Sequence, residues 1–160
     1  NGNAFGGGCE IITACDLRVA GEQTHFSFAQ VRNGLTTGWG GTTRLVQLIG
    51  LSRATELLLS GRVFAAQEAY EFGLLHRLVP QEENVLHAAQ AWAAELANLP
   101  AGTLAALKEL LVAAAALPQE EVQKIETRLF MEQWASPDHL EALAAFYEKR
   151  RPVFNQAQKR

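Results

Sequence analysis

The spacing of apolar residues changes character about halfway along this chain. Up to residue 80, short runs of differing period alternate with glycine-rich breaks. CEIITAC, residues 9 to 15, reads as a short helix that starts at a run of glycines. In DLRVAG, residues 16 to 21, Leu17 and Val19 alternate with Asp16 and Arg18, which predicts a strand. THFSF, residues 24 to 28, predicts a second strand with Phe26 and Phe28 on one face. NGLTTGWGG, residues 33 to 41, holds four glycines and reads as a loop. TTRLVQLIG then predicts a helix, capped by Thr42 or Thr43 and stopped by Gly50. Residues 51 to 61 and 64 to 73 read as two more short helices, each ending at a glycine. LLHRLVP, residues 74 to 80, reads as a strand terminated by Pro80.

From Glu82 onward only helical signals remain. Helices are predicted over 82–98, 102–116, 119–134 and 137–150, and Pro100, Pro118 and Pro137 each suit a first helical turn. Val122, Ile125 and Leu129, then Leu140, Leu143 and Phe146, recur at steps of three and four residues, as core or subunit-contact positions do. The expected organisation is therefore a mixed α/β region over residues 1–80 and an all-helical region over 81–160.

Composition narrows the function classes. The chain has 160 residues, enough for one domain with a core, and is 48% apolar and 19% charged, the balance of a globular protein. A net charge of −3 argues against a nucleic-acid binder, which would carry a basic face. No apolar run approaches the roughly 20 residues that span a bilayer, so no membrane association is expected. Cys9 and Cys15 lie six residues apart and point about 120° away from each other on a helix, so no disulfide is expected and the setting reads as reducing and cytoplasmic. His25, His76, His87 and His139 lack metal-ligand spacing, and no metal is expected. The single methionine is Met131, so the chain reads as a processed or partial one.

The opening stretch, NGNAFGGGCE, raises the chemical question. Three glycines are either a flexible linker or a place where backbone N–H groups approach something closely. No lysine follows for a Walker-type loop, and G-x-G-x-x-G does not occur. Glu10, in the first turn after the glycines, suits either a dipole-complementing acid or a proton-transfer group. Trp39, between Gly38 and Gly40, is either a packing anchor or a pocket wall. His25 reads as a surface residue before a general acid. Arg44 is expected to pair with an acid or cap a turn, with no catalytic role. Lys149, Arg150 and Arg151 suit the C-terminal end of a helix.

GNAFGGGCEIITACDLRVA, NGLTTGWGGTTRLVQLIG, LSGRVFAAQEAYEFGLL and AAFYEKRRPVF, in that order, resemble the enoyl-CoA hydratase/isomerase (crotonase) superfamily over essentially the whole chain. The resemblance implies an α/β fold, a crotonase-like spiral of ββα turns followed by a C-terminal all-helical oligomerisation region. Residues 1–80 would be the C-terminal part of the spiral core and 81–160 the helical region, so the chain would correspond to about the last three-fifths of one such domain. It implies an enzyme, a lyase or isomerase, acting on acyl-CoA thioesters. The Gly7 amide would donate to the enolate oxygen, a second donor coming from a segment upstream, so that the chain would not be a complete catalyst alone. Coenzyme A would arrive as part of the substrate, with no other cofactor.

Under the same resemblance Glu10 matches the first catalytic glutamate of the hydratases, while the second, twenty positions later, is replaced by Gln30. No register slip restores it, because residues 23 to 55 contain no Asp or Glu. Glutamine orients a water but transfers no proton near neutral pH. The reaction type is thereby left open among hydration, double-bond isomerisation and decarboxylation of a 2-carboxyacyl-CoA such as ethylmalonyl- or methylmalonyl-CoA. GWGGTTRLVQLIG is also similar to the ethylmalonyl-CoA decarboxylase branch. A non-catalytic scaffold member is the alternative of another class, against which the retained glycines and Glu10 speak. Trp39 would line the acyl pocket, and Phe146 and Lys149 would reach the acyl pocket and CoA phosphates of a neighbouring subunit. The expected partner is the chain itself, as a homotrimer or a dimer of trimers.

Overall fold

The computed structural model describes residues 1–155. Contacts divide the chain into two compact units, Asn1–Ala91 and the segment from Trp92 onward. In the first, β1 (Ala4–Phe5) leads into α1 (Gly7–Thr13), followed by β2 (Val19–Gly21) and β3 (His25–Ser27). A 3₁₀ turn (Ala29–Asn33) and a loop precede α2 (Gly41–Ile49) and α3 (Leu51–Ser60). β4 (Phe64–Ala65), α4 (Ala66–Glu71) and β5 (Arg77–Val79) complete it, and α5 (Val85–Ala97) runs on past its edge.

The strands form two small sheets. β3 lies between β1, parallel to it, and β4, antiparallel to it, while β2 pairs in parallel with β5. The register sets Phe26 opposite Phe64, and their rings lie 5.7 Å apart. Those rings join Phe28, Leu45, Leu57 and Leu74 in one buried cluster under α2, α3 and α4. Short strands tied by parallel crossovers suit this arrangement, because each βα turn covers only part of the next sheet.

The stretch 16–21 departs from its pattern. Alternation predicts Leu17 inside and Arg18 outside, yet Leu17 is exposed and Arg18 is buried. The Arg18 guanidinium satisfies two carbonyls that would otherwise be orphaned, donating from Nε to Leu74 O at 2.5 Å and from Nη1 to Cys15 O. The chain is thus held by a side chain up to residue 18, and ladder pairing starts at Val19. The expected Thr42 or Thr43 cap is also absent. Gly40, at φ +76°, occupies the N-cap of α2 and makes no side-chain bond, and both threonines are exposed. The capping acceptor comes from Glu10 instead.

In the second unit α5 continues to Ala97, followed by α6 (Ala101–Ala116), α7 (Gln119–Trp134) and α8 (Pro137–Tyr147). Pro100 and Pro118 stand at N-caps, and Pro137 opens α8, where Ser136 Oγ accepts from His139 N at 3.1 Å. α6 and α7 bury Ala106, Ala113 and Leu129. Helix α8 is shorter than the 137–150 pattern predicts and ends at Tyr147. Its Leu140, Leu143 and Phe146 stripe stays exposed on this chain, so it supplies no intrachain core. No single helix among the described residues is long and apolar enough to cross a membrane.

Candidate active site

The glycine run builds a helix start that only glycine permits. Gly6 has φ +53°, donates its N–H to Ser27 O at 2.8 Å, and turns the chain from β1 into α1. Gly7 and Gly8 occupy the first turn of α1, where amides lack intrahelical acceptors. Neither donates to another backbone group among the described residues. Beside them Cys9 is buried, with its thiol on Ala4 O at 2.9 Å. Burial pushes this thiol up to about 11, against a smaller opposing effect of the Ser27 backbone, so it stays neutral and unreactive. Cys9 and Cys15 are both free.

Glu10 follows, only 3% exposed, and its carboxylate is ringed by N–H donors. Oε1 accepts from Gln30 Nε2 at 2.8 Å and from Gly38 N at 3.3 Å. Oε2 accepts from Trp39 N at 2.7 Å and from Gly41 N at 3.2 Å. Three of the four donors are backbone amides converging at the start of α2, where the helix dipole adds positive potential. Burial alone would raise the Glu10 pKa. The donors, Trp39 first and then Gln30, Gly38 and Gly41, outweigh it and hold the group below the usual carboxylate value. Glu10 is therefore a fixed anion at neutral pH.

Close approach makes this cage possible. A Cβ at Gly41 would stand 2.6 Å from Glu10 Cγ and 2.9 Å from Oε2. A Cβ at Gly7 would stand 2.5 Å from Cζ3 of the Trp39 ring. Trp39 therefore joins both parts of the site: its amide holds Glu10, and its ring, on a residue 64% exposed, packs against Gly7. Gln30 reaches Glu10 from the 3₁₀ turn. Its amide orientation is dictated by the anion, since the reverse would set two acceptors together. Gln30 Oε1 is left buried with no hydrogen-bond partner among the described residues.

Arg44 lies behind the cage. Its Nη2 donates to Trp39 O at 2.6 Å and to Glu10 O at 3.1 Å, and its Nε donates to Thr13 Oγ1 at 3.0 Å. Thr13 in turn donates to Glu10 O at 2.7 Å. The sequence reading, which expects Arg44 to pair with an acid or cap a turn, misses these contacts. It also reads 33–41 simply as a loop, although glycines directly ahead of a helix are the pattern of an anion cradle.

Four of the sequence-predicted residues thus meet: Gly7, Glu10, Gln30 and Trp39. His25 stands exposed on β3, its backbone N–H on Asn3 Oδ1 at 2.9 Å. Phe146 and Lys149 belong to the second unit. Phe146 is 78% exposed, with Tyr147 edge-on at 5.8 Å. Lys149 has φ +54° in the turn closing α8, where Arg150 N donates to Ala145 O at 3.0 Å. Arg150 is not a loose cation at a helix end. It binds Glu141 at 2.5 and 2.9 Å and Glu148 at 2.5 Å, and Arg150 together with Val153 N draws Glu141 down to about 2. Among the described residues no three His, Cys, Asp or Glu side chains gather as a metal site would require.

The same fold recurs among known proteins. An enoyl-CoA hydratase from Bacillus anthracis superposes with a TM-score of 0.91 at 34% identity, over 96% of this chain and 58% of that one. The mitochondrial enoyl-CoA hydratase of Pongo abelii is 38% identical over 154 residues, covering 96% of this chain and 53% of its own length. The 2,3-dehydroadipyl-CoA hydratase of Escherichia coli is 34% identical over 154 residues, covering 96% and 60%. This chain therefore spans little more than half the length of such relatives. The family model described as enoyl-CoA hydratase/isomerase matches residues 1–158. With its spiral of small sheets and following helices, the chain has the crotonase fold and belongs to the enoyl-CoA hydratase/isomerase family.

Proposed function

We propose that this protein acts on acyl-CoA thioesters by stabilising a thioester enolate, with Glu10 as its one proton-transferring carboxylate. The observation that carries the reading is the 2.8 Å hydrogen bond from Gln30 Nε2 to Glu10 Oε1. An amide stands where the family's hydration chemistry uses a second carboxylate. Two carboxylates at that separation would share a proton, one raised and one lowered. A glutamine donates to the anion and leaves it fully ionised. The site then has a base and no partner acid.

One ionised carboxylate suits a double-bond shift. Glu10 takes a proton from C2 of a 3-enoyl thioester, and the C–H electrons move into the carbonyl as an enolate. The Gly7 N–H stabilises the enolate oxygen, as preorganised donors do. The electrons return through the double bond, and C4 recovers the proton from Glu10. A second reading, decarboxylation of a 2-carboxyacyl-CoA, is favoured by the GWGGTTRLVQLIG stretch with Trp39 against Gly7. There the C–CO2 bond supplies the enolate electrons, carbon dioxide leaves, and Glu10 relays a solvent proton to the α carbon.

The exposed Leu140, Leu143 and Phe146 stripe supports self-association, with Lys149 and Phe146 serving a neighbouring subunit's acyl-CoA. The test offers the full-length protein 2-enoyl-, 3-enoyl- and ethylmalonyl-CoA together, read by mass spectrometry, with Glu10→Gln as control. Glu10-dependent isomerisation or loss of carbon dioxide supports the proposal and selects between its readings. Hydration of the 2-enoyl thioester at an enzyme-like rate overturns the single-carboxylate mechanism.

A further inference from the structure

We infer that Arg44 is a positioning residue for the Glu10 carboxylate, acting through the carbonyls of Glu10 and Trp39. The inference rests on the proposed role of Glu10. Besides the 3₁₀ turn that carries Gln30, the cage around Glu10 has two backbone walls from different parts of the chain, α1 and the loop 38–41. Nothing in the cage itself joins the backbones of these walls, since every cage bond ends on the Glu10 side chain.

Arg44 makes the missing joint. One nitrogen, Nη2, donates both to the carbonyl of Glu10, in α1, and to the carbonyl of Trp39, in the loop. Nε extends the joint to Thr13 Oγ1, which itself donates to Glu10 O. The planar guanidinium presents these donors in a fixed fork, which a lysine ammonium on a flexible stem does not reproduce. Gly40 makes room for it: a Cβ there would stand 2.7 Å from Nη1. The residue does not touch the carboxylate. With the charge kept, as in Arg44→Lys, any effect on Glu10 chemistry passes through the placement of the Gly38, Trp39 and Gly41 amides.

The test is the Glu10 titration in Arg44→Gln, followed by carbon-detected NMR of labelled glutamate carboxyls, beside the pH profile of turnover. The expected result is a Glu10 midpoint moved upward toward the ordinary carboxylate value, and a fall of about tenfold or more in kcat with KM little changed. Arg44→Lys, which retains the charge without the fork, should show a shift of the same sign. A folded Arg44→Gln protein with an unmoved Glu10 titration and unmoved kcat overturns the inference. Should Arg44→Gln not fold, Arg44→Lys decides: a wild-type titration and kcat refute the fork. The titration needs no substrate. Absence of acyl-CoA turnover in the full-length wild type would sink the functional proposal and leave this test standing.

Discussion

Replacing Gly41 by alanine gives the sharpest test of the cage. The new Cβ would fall 2.6 Å from Glu10 Cγ, 2.9 Å from Oε2 and 3.0 Å from Cδ. Carbon atoms in contact sit at about 3.5–4.0 Å, so the glutamate must retreat by about 1 Å. Its oxygens now lie 2.7 to 3.3 Å from four donors, and a retreat of that size lengthens at least the two bonds on Oε2 beyond use. Hydrogen bonds to a charged group contribute about 1.5–3 kcal/mol each, and overpacking typically costs about 1–3 kcal/mol. A net loss of about 2–4 kcal/mol follows once partial relaxation is allowed. In a Glu10→Ala background the clashing atoms are gone, and the same change should be neutral or gain up to about 0.5 kcal/mol from helix propensity. Denaturant unfolding of the four proteins in this cycle measures the coupling, expected near 3 kcal/mol. An equal cost for Gly41→Ala with and without Glu10 would refute the packing argument.

Gly7→Ala should abolish turnover in the wild type, where its Cβ meets the Trp39 ring at 2.5 Å. With Trp39→Gly the same alanine should be tolerated structurally, as a crystal structure or Tm would report. The depressed Glu10 value sets a pH dependence. Because the unfolded chain binds the proton more readily, the stability from the cage is complete above about pH 4.5, the ordinary midpoint. It is lost as pH falls through the lower folded value, so acid unfolding curves of wild type and Glu10→Gln should converge below that range. Lys149→Gly should raise stability by about 1 kcal/mol, since it removes a side chain from a left-handed position. The same variant should weaken acyl-CoA binding if the lysine meets a phosphate, and calorimetry separates the two effects.

The sequence already carried most of the site as pairs of positions. Glycines followed by an acid marked a helix start, and the twenty-residue interval from Glu10 to Gln30 marked two groups that the structure brings to 2.8 Å. The legible elements were those whose signals are local, such as the prolines at the starts of α6, α7 and α8. What stayed hidden depended on tertiary partners. The α2 cap is a side chain thirty-one residues away rather than Thr42 or Thr43. Arg18 lies inside and Leu17 outside because two carbonyls needed a donor, a requirement that no alternation rule contains. The Arg44 joint connects three residues, and none of the three signals the others in sequence.

On the proposed reading Gln30 stands in for a second carboxylate, exchanging one oxygen for an NH2 group and leaving the outline of the side chain almost unchanged. Its consequence is a proton count. A pair of carboxylates stores one exchangeable proton between them and answers pH from both sides, giving a bell-shaped rate profile. Glu10 beside an amide stores none, so this site enters each turnover empty-handed and must return whatever it takes. Its rate should rise along a single acid limb to a plateau, and any net gain of hydrogen in the product must be drawn from solvent, where deuterium would label it.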